Sequence, residues 1–178
     1  MDQQVLVAYA SKYGSTQEVA EAVAEVLRGR GLEVDLQHMP EVRSLARYDA
    51  FVLGAPLYMF RWHKDARRFL SRHRKALTKR PVAIFALGPI TPGDAEEWQA
   101  SCEQLDKELA RRPWLTPVVV EMFGGRIDHS KMSFPYSLIM SEVPASDLRD
   151  WTAIRAWAGK LPVVLQLEAP KADGTDAG

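Results

Sequence analysis

Three short stretches of the chain carry residue types that could do chemistry. The first reads Ala10-Ser11-Lys12-Tyr13-Gly14-Ser15-Thr16. A bound phosphate needs converging N–H groups, small side chains that let the backbone approach, and hydroxyl donors. Gly14 offers the approach, Ser11, Ser15 and Thr16 offer hydroxyls, and a helix that starts here turns its positive end toward the anion. No Gly-Lys-Ser/Thr follows a glycine at Walker spacing, and a three-glycine dinucleotide fingerprint is absent. An N-capped turn uses the same Ser and Gly, so position in the fold must separate the two readings. The second stretch, Gly54 to His63, contains Ala55, Pro56, Leu57, Tyr58, Met59 and Trp62. Tyr58 and Trp62 could stack on or flank a flat ring edged with acceptors, and either could equally be core. The third stretch, Leu87-Gly88-Pro89-Ile90-Thr91-Pro92-Gly93-Asp94, offers backbone groups to a ring edge, though any strand-to-helix turn uses Pro and Gly.

The elements around these stretches decide what they are. Val5 to Tyr9 is a near-continuous apolar run, as expected of a strand buried on both faces. Val19, Val23, Val26 and Leu27 mark one face of the helix that follows, with Gly29 or Gly31 to end it. Leu32 to Leu36 alternates apolar and charged residues, the mark of an edge strand. Phe51-Val52-Leu53 is a third strand, Phe69, Leu70, His73 and Leu77 line a helix, and Val82 to Leu87 is a fourth strand. Asp94 and Glu97 form a capping box for a helix with the stripe Trp98, Cys102, Leu105, Leu109. Val118 to Phe123 is the fifth strand, and a last helix from Asp147 or Asp150 buries Trp151, Ile154 and Leu161. This alternation predicts an α/β fold, a doubly wound five-stranded parallel sheet with helices on both faces. The amphipathic second strand belongs at an edge, which selects the flavodoxin-like order 2-1-3-4-5. In that order the three chemical stretches share the carboxyl edge of the sheet. A phosphate loop, a ring-bearing loop and a polar loop on one edge together point to FMN.

Bulk properties limit the partners. The chain has 178 residues, 47% of them hydrophobic, enough for one core. Its 23 basic and 23 acidic residues cancel, so a general nucleic-acid binder is not expected. The four histidines have no metal-ligand spacing, and Cys102 stands alone, as suits a reducing compartment. With no secretory or spanning segment in view, a cytoplasmic domain is the expectation. Nine of the 20 residues from Arg61 to Arg80 are basic and one is acidic, leaving 14 basic and 22 acidic for the rest. That helix could meet an anionic substrate or the inner face of an acidic membrane, or be a solvated face. The tail 168–178 is expected to be disordered.

The first stretch resembles the flavodoxin phosphate loop, Ser/Thr-x-Thr-Gly-x-Thr. Ser11, Gly14 and Thr16 match it, and Tyr13 replaces a small hydroxyl residue. From Val5 to about Leu161 the chain is more closely similar to the flavodoxin-domain family that includes bacterial menaquinone-dependent protoporphyrinogen oxidase. Lys12, Gly54-Ala55 leading to an aromatic and His63, Phe123-Gly124-Gly125-Arg126 and Asp150-Trp151 carry that resemblance. It implies bound FMN, oxidation of a porphyrinogen in two-electron steps, and a quinone acceptor. Lys12, Arg61 and His63 would bind anionic groups or tune the flavin, and no catalytic base is assigned. A flavodoxin-type carrier, an NAD(P)H:quinone reductase and a flavin-free interaction module remain the rival readings.

Between the fifth strand and the last helix, residues 124–146 form a connection of 23 residues, against roughly 2–6 in an ordinary strand–helix loop. Met132, Phe134, Tyr136, Leu138, Ile139 and Met140 make it apolar. It is expected either to cover the sheet edge or to serve as a lid or docking surface for a hydrophobic substrate or quinone.

Overall fold

The computed structural model describes residues 3–58 and 61–167. Five parallel strands form the main sheet: β1 (Gln4–Tyr9), β2 (Glu33–His38), β3 (Ala50–Tyr58), β5 (Val82–Leu87) and β6 (Val119–Phe123). Their order is β2-β1-β3-β5-β6, which is the expected arrangement. Side chains alternate strictly across it, because neighbouring residues of a strand point to opposite faces. Val5, Val7, Val52 and Phe85 pack under α1 (Ser15–Gly29) and α6 (Trp151–Val164). Leu6, Phe51, Leu53 and Ile84 pack on the other face, under α2 (Lys64–Arg72), the short α3 (Arg74–Leu77) and α4 (Ala95–Ala110). In β2 only Val34 is buried, as its edge position requires.

Two features depart from the sequence expectation. β3 runs past the sheet and turns back as a two-residue strand, β4 (Arg61–Trp62), paired antiparallel at Leu57–Trp62 and Tyr58–Arg61. And α4 overshoots the sheet. A Cβ on Gly88, just past β5, would lie 3.1 Å from the Ser101 Cβ, so the turn before Ser101 projects beyond the strands. Trp98 is therefore 42% exposed, not part of a buried stripe, while Leu105 and Glu108 carry the burial.

The last helix starts after Asp150, whose carboxylate accepts the Ala153 N–H at 3.0 Å. Before it, the chain makes an excursion with its own stem, β7 (Arg126–Ile127) paired with β8 (Ser146–Asp147), and a single helical turn, α5 (Tyr136–Ile139). A side chain on Gly124 would sit 2.2 Å from the Leu148 carbonyl oxygen, so only glycine lets the two ends of the stem cross. The excursion does not cover the sheet edge, since Val118 and Val120 remain exposed there. It bonds instead to the carboxyl end of the sheet. Gly125 N–H donates to Pro89 O (2.6 Å) and Ser146 Oγ to Ile90 O (2.7 Å). Among the described residues no helix is long and apolar enough to cross a membrane. The tail 168–178 lies outside the described residues.

Candidate functional site

The loop from Ala10 to Gly14 leaves β1 in the middle of the sheet and feeds α1. Ser11 Oγ accepts the Gly14 N–H at 2.9 Å and closes the turn. Gly14 has φ +88° with open space where a Cβ would lie. The left-handed backbone conformation by itself calls for glycine here, a reason that the sequence did not show.

Among the described helices longer than one turn, α1 alone has an open N-terminus. The carboxylates of Asp94 and Asp150 cap α4 and α6, and the His63 ring caps α2. Among the described residues no side chain caps α1. At that end Thr16 is completely buried, and its Oγ1 has no hydrogen-bond partner among the described residues. The buried Tyr13 hydroxyl is in the same condition. Orphan hydroxyls cost about 1–3 kcal/mol each unless a ligand meets them. An uncapped helix end with two such hydroxyls fits the phosphate of FMN. Beside the loop lies a hollow of about 230 Å³ lined by Tyr9, Ser11, Lys12, Gly14, Gln17, His38 and Glu41. It is smaller than a drug-sized pocket of about 300–1,000 Å³, so it can seat only one end of a cofactor. Tyr9 and His38 face each other at 5.5 Å between ring centroids. Tyr9, Gln17, His38 and Glu41 gave no sequence signal, because they gather only when β1 and β2 pair.

The second loop behaves differently from expectation. Trp62 is 1% exposed, and its indole N–H donates to Ala55 O at 3.0 Å, so it props the hairpin from beneath and presents no stacking face. Ala55 and Pro56 are still within the sheet, paired with Ala86 and Leu87. Leu57 is half-buried, Tyr58 pairs with Arg61 through the backbone, and Met59 lies outside the described residues. Arg61 points to Glu108 (3.8 Å), a buried carboxylate also met by Arg111 (2.6 Å) and Arg112 (3.6 Å). The His63 Nδ1 accepts the Asp65 N–H at 3.2 Å, which needs a neutral ring, and burial pushes its pKa below the ordinary value. Arg61 and His63 thus anchor the hairpin and α2.

The third loop reaches the same edge with its amides already engaged. The Gly88 N–H donates to Phe123 O (3.0 Å). The Ile90 and Thr91 N–H groups donate to the two oxygens of Glu97 (3.1 and 2.8 Å). Asp94 accepts the Glu97 N–H (2.9 Å), half of the expected capping box, while Glu97 turns to the loop instead of returning the bond. Leu87 is buried, and Pro89 offers only a carbonyl, which Gly125 occupies. The expected N–H donors for a ring edge are therefore not offered by Gly88 or Ile90.

A charged cluster that the sequence did not show joins the excursion to the first turn of α1, just after the Ala10 to Gly14 loop. Glu18, in the first turn of α1, meets Arg149, Arg126 (3.5 Å) and Lys131 (3.8 Å). The Arg149 guanidinium holds the carboxyls of both Glu18 and Asp147 below their usual range. Lys12 Nζ stands 3.6 Å over the Tyr136 ring, so α5 meets the loop directly. The basic stretch also divides. Arg67 Nε donates to Trp62 O, Arg80 to the carbonyls of Leu45 and Ala46, and Arg74 lies over Trp114. Lys64, Arg68, Arg72, Lys75 and Lys79 remain on the exposed surface.

Residues 6–148 match the flavodoxin domain family. Among known proteins, the chain is 26% identical over 87 residues to the protoporphyrinogen IX dehydrogenase [quinone] of Escherichia coli strain K12, covering 48% of each. It is 32% identical over 119 residues to an NAD(P)H dehydrogenase (quinone) of Paraburkholderia phymatum, covering 52% of this chain and 60% of that one. These matches span about half the length of the relatives. Oxidised flavodoxin 1 from Bacillus cereus superposes with a TM-score of 0.56 at 16% identity, over 89% of this chain and 96% of that one. A flavodoxin from Pseudomonas aeruginosa gives 0.54 at 17% identity, over 92% and 99%. The fold is theirs, and the family implies FMN as the cofactor. The chain belongs to the flavodoxin-domain family.

Proposed function

We propose that this chain is an FMN-dependent oxidoreductase that takes electrons from a hydrophobic, anionic donor of the porphyrinogen class and passes them to a quinone. FMN, when bound, supplies reversible two-electron chemistry. In this reading Ser11, Lys12, Tyr13, Gly14, Ser15 and Thr16 grip its phosphate, and Thr16 and Tyr13 give their hydroxyls to it. The ends of β3 and β5, from Ala55 to Tyr58 and from Leu87 to Ile90, would wall the ring, with Trp62 fixing the hairpin from below.

The observation that carries the reading is the apex of the excursion. Phe134, Leu138 and Ile139 are 80%, 68% and 66% exposed, on a turn whose Tyr136 touches Lys12 of the phosphate loop. Clustered exposed apolar side chains beside a cofactor loop suit an apolar substrate surface, or contact with a membrane that carries quinone. The exposed basic side of α2 supports an anionic donor or an acidic membrane. Arg68 and Arg72 line a groove there of about 150 Å³. The quinone acceptor named for both relatives supports the second half-reaction.

A second reading keeps the quinone and replaces the donor with NADH or NADPH, and it draws on the Paraburkholderia relative. The test is an anaerobic screen of FMN-loaded protein with protoporphyrinogen, NADH and NADPH, using a soluble quinone as acceptor. Bleaching of the flavin by protoporphyrinogen supports the first reading, and bleaching by NADPH alone supports the second. Bleaching by none of them, with ready exchange of electrons with a protein partner, would make the chain a carrier.

A further inference from the structure

Arg149 sits just before α6, far from the phosphate loop in sequence, yet its side chain is only 3% exposed. Its Nε and Nη2 take both oxygens of Asp147 in the stem, at 2.8 and 2.7 Å. Its Nη1 reaches the Glu18 carboxylate and the Ser15 carbonyl (3.3 Å), both in the first turn of α1. The guanidinium also lies 4.8 Å from the Trp151 ring centre. One buried cation thus bridges the stem of the excursion and the helix end that follows the phosphate loop.

The bridge is not needed to dock either element. Val19, Val23 and Leu27 already bury the apolar face of α1, and the Gly125 N–H to Pro89 O and Ser146 Oγ to Ile90 O bonds tie the stem to the sheet. What the bridge governs is charge and position. Glu18 is favoured by the positive end of α1, but a carboxylate one turn from a phosphate site repels the phosphate. Arg149, with Arg126 and Lys131 beside it, neutralises that carboxylate and fixes the Ser15 carbonyl. Arginine suits this because its planar fork can hold Asp147 with two bonds and still reach α1 with its third nitrogen.

We infer that Arg149 is a positioning residue for the phosphate grip, and that through Glu18 and Ser15 it couples order in the excursion to a phosphate in the Ser11 to Thr16 loop. The inference rests on the reading that this loop holds the FMN phosphate. Coupling of this kind is reciprocal, so a phosphate that steadies the loop must also steady the stem. Riboflavin, which lacks the phosphate, cannot do so.

The test compares the protein saturated with FMN and with riboflavin by hydrogen exchange in peptides covering residues 126–147. Exchange there should be slower with FMN than with riboflavin. Arg149→Met keeps an apolar stem against Trp151 and removes the fork. It should abolish that difference and weaken FMN by about tenfold, with riboflavin affinity unchanged. Arg149→Lys should recover little, since a point charge cannot hold two carboxylates and a carbonyl. Glu18→Gln, at a half-exposed site, carries the exchange test if Arg149→Met fails to fold: it should shrink the difference in exchange between the flavins, while FMN affinity holds or rises because the repelling carboxylate is gone. Equal weakening of both flavins by either variant, or FMN protection that survives in both, would overturn the inference alone. Equal affinities of the wild-type protein for FMN and riboflavin would overturn the phosphate-loop reading and the inference with it.

Discussion

Replacing Thr16 by Val should have opposite effects on the empty and the FMN-loaded protein. The two side chains share shape and branching, so packing at this fully buried position is retained. The change removes only Oγ1, which has no hydrogen-bond partner among the described residues. An unmatched buried hydroxyl costs about 1–3 kcal/mol, so the empty variant should be more stable by about 1 kcal/mol. For a chain of this size that raises Tm by about 2–4 °C. With FMN bound, the lost hydroxyl is a donor to a charged phosphate, worth about 1.5–3 kcal/mol. FMN affinity should therefore fall about 10- to 150-fold, and riboflavin affinity should not change. Thermal melts of the empty protein and flavin fluorescence titrations measure the two sides independently. A variant that melts lower while binding FMN normally would refute the reasoning, because the hydroxyl would then serve the fold.

The histidines make stability depend on pH. Burial holds His63 and His73 below their ordinary value of 6.5, so the unfolded chain binds more protons. Their contribution is complete above pH 6.5 and is lost as pH falls toward their folded values. His63→Asn keeps a good helix cap and should flatten Tm against pH in that range, and an unchanged slope would show that His63 does not titrate as described. Arg68→Glu with Arg72→Glu should leave FMN binding intact while lowering turnover of an anionic donor or attachment to anionic vesicles, and added salt should mimic the loss. Arg67 is excluded from that variant because it holds the Trp62 carbonyl. Phe134→Ser with Ile139→Ser removes side chains that are largely exposed, so Tm should move by less than about 2 °C. Turnover of a hydrophobic donor or of quinone should fall, and a large loss of Tm with normal turnover per flavin would rule out a substrate surface.

What the sequence made legible was local. The near-continuous apolar run Val5 to Tyr9 placed β1, the three-to-four periodicity of Val19 to Leu27 placed α1, and the half-wet pattern of β2 placed it at the edge. The turn from Ser11 to Gly14 into α1 was legible from its position after β1 and its Ser and Gly. Contacts between distant segments were not legible. Arg149 and Glu18 stand 131 residues apart, and nothing in either neighbourhood signals the other. Trp62 gave an aromatic signal that served ring stacking and core equally. The short return strand β4 decided it by turning the indole under Ala55. Glu97 looked like half of a reciprocal cap, but the Ile90 and Thr91 amides, seven and six residues back, were better partners within reach. Trp98 matched a helical stripe and still emerged into solvent, because periodicity tells which face is apolar and not how far the sheet beneath it extends.

The central claim is that the FMN phosphate sits in the Ser11 to Thr16 loop, and phosphorus NMR of the FMN-loaded protein tests it most directly. A free phosphomonoester titrates near pH 6, changing from monoanion to dianion. Held by the open end of α1 and by the hydroxyls of Thr16 and Tyr13, the phosphate should remain a dianion well below pH 6. Its resonance should then show no titration across that range. A bound-FMN resonance that titrates near pH 6 like the free cofactor would place the phosphate in solvent and contradict the account.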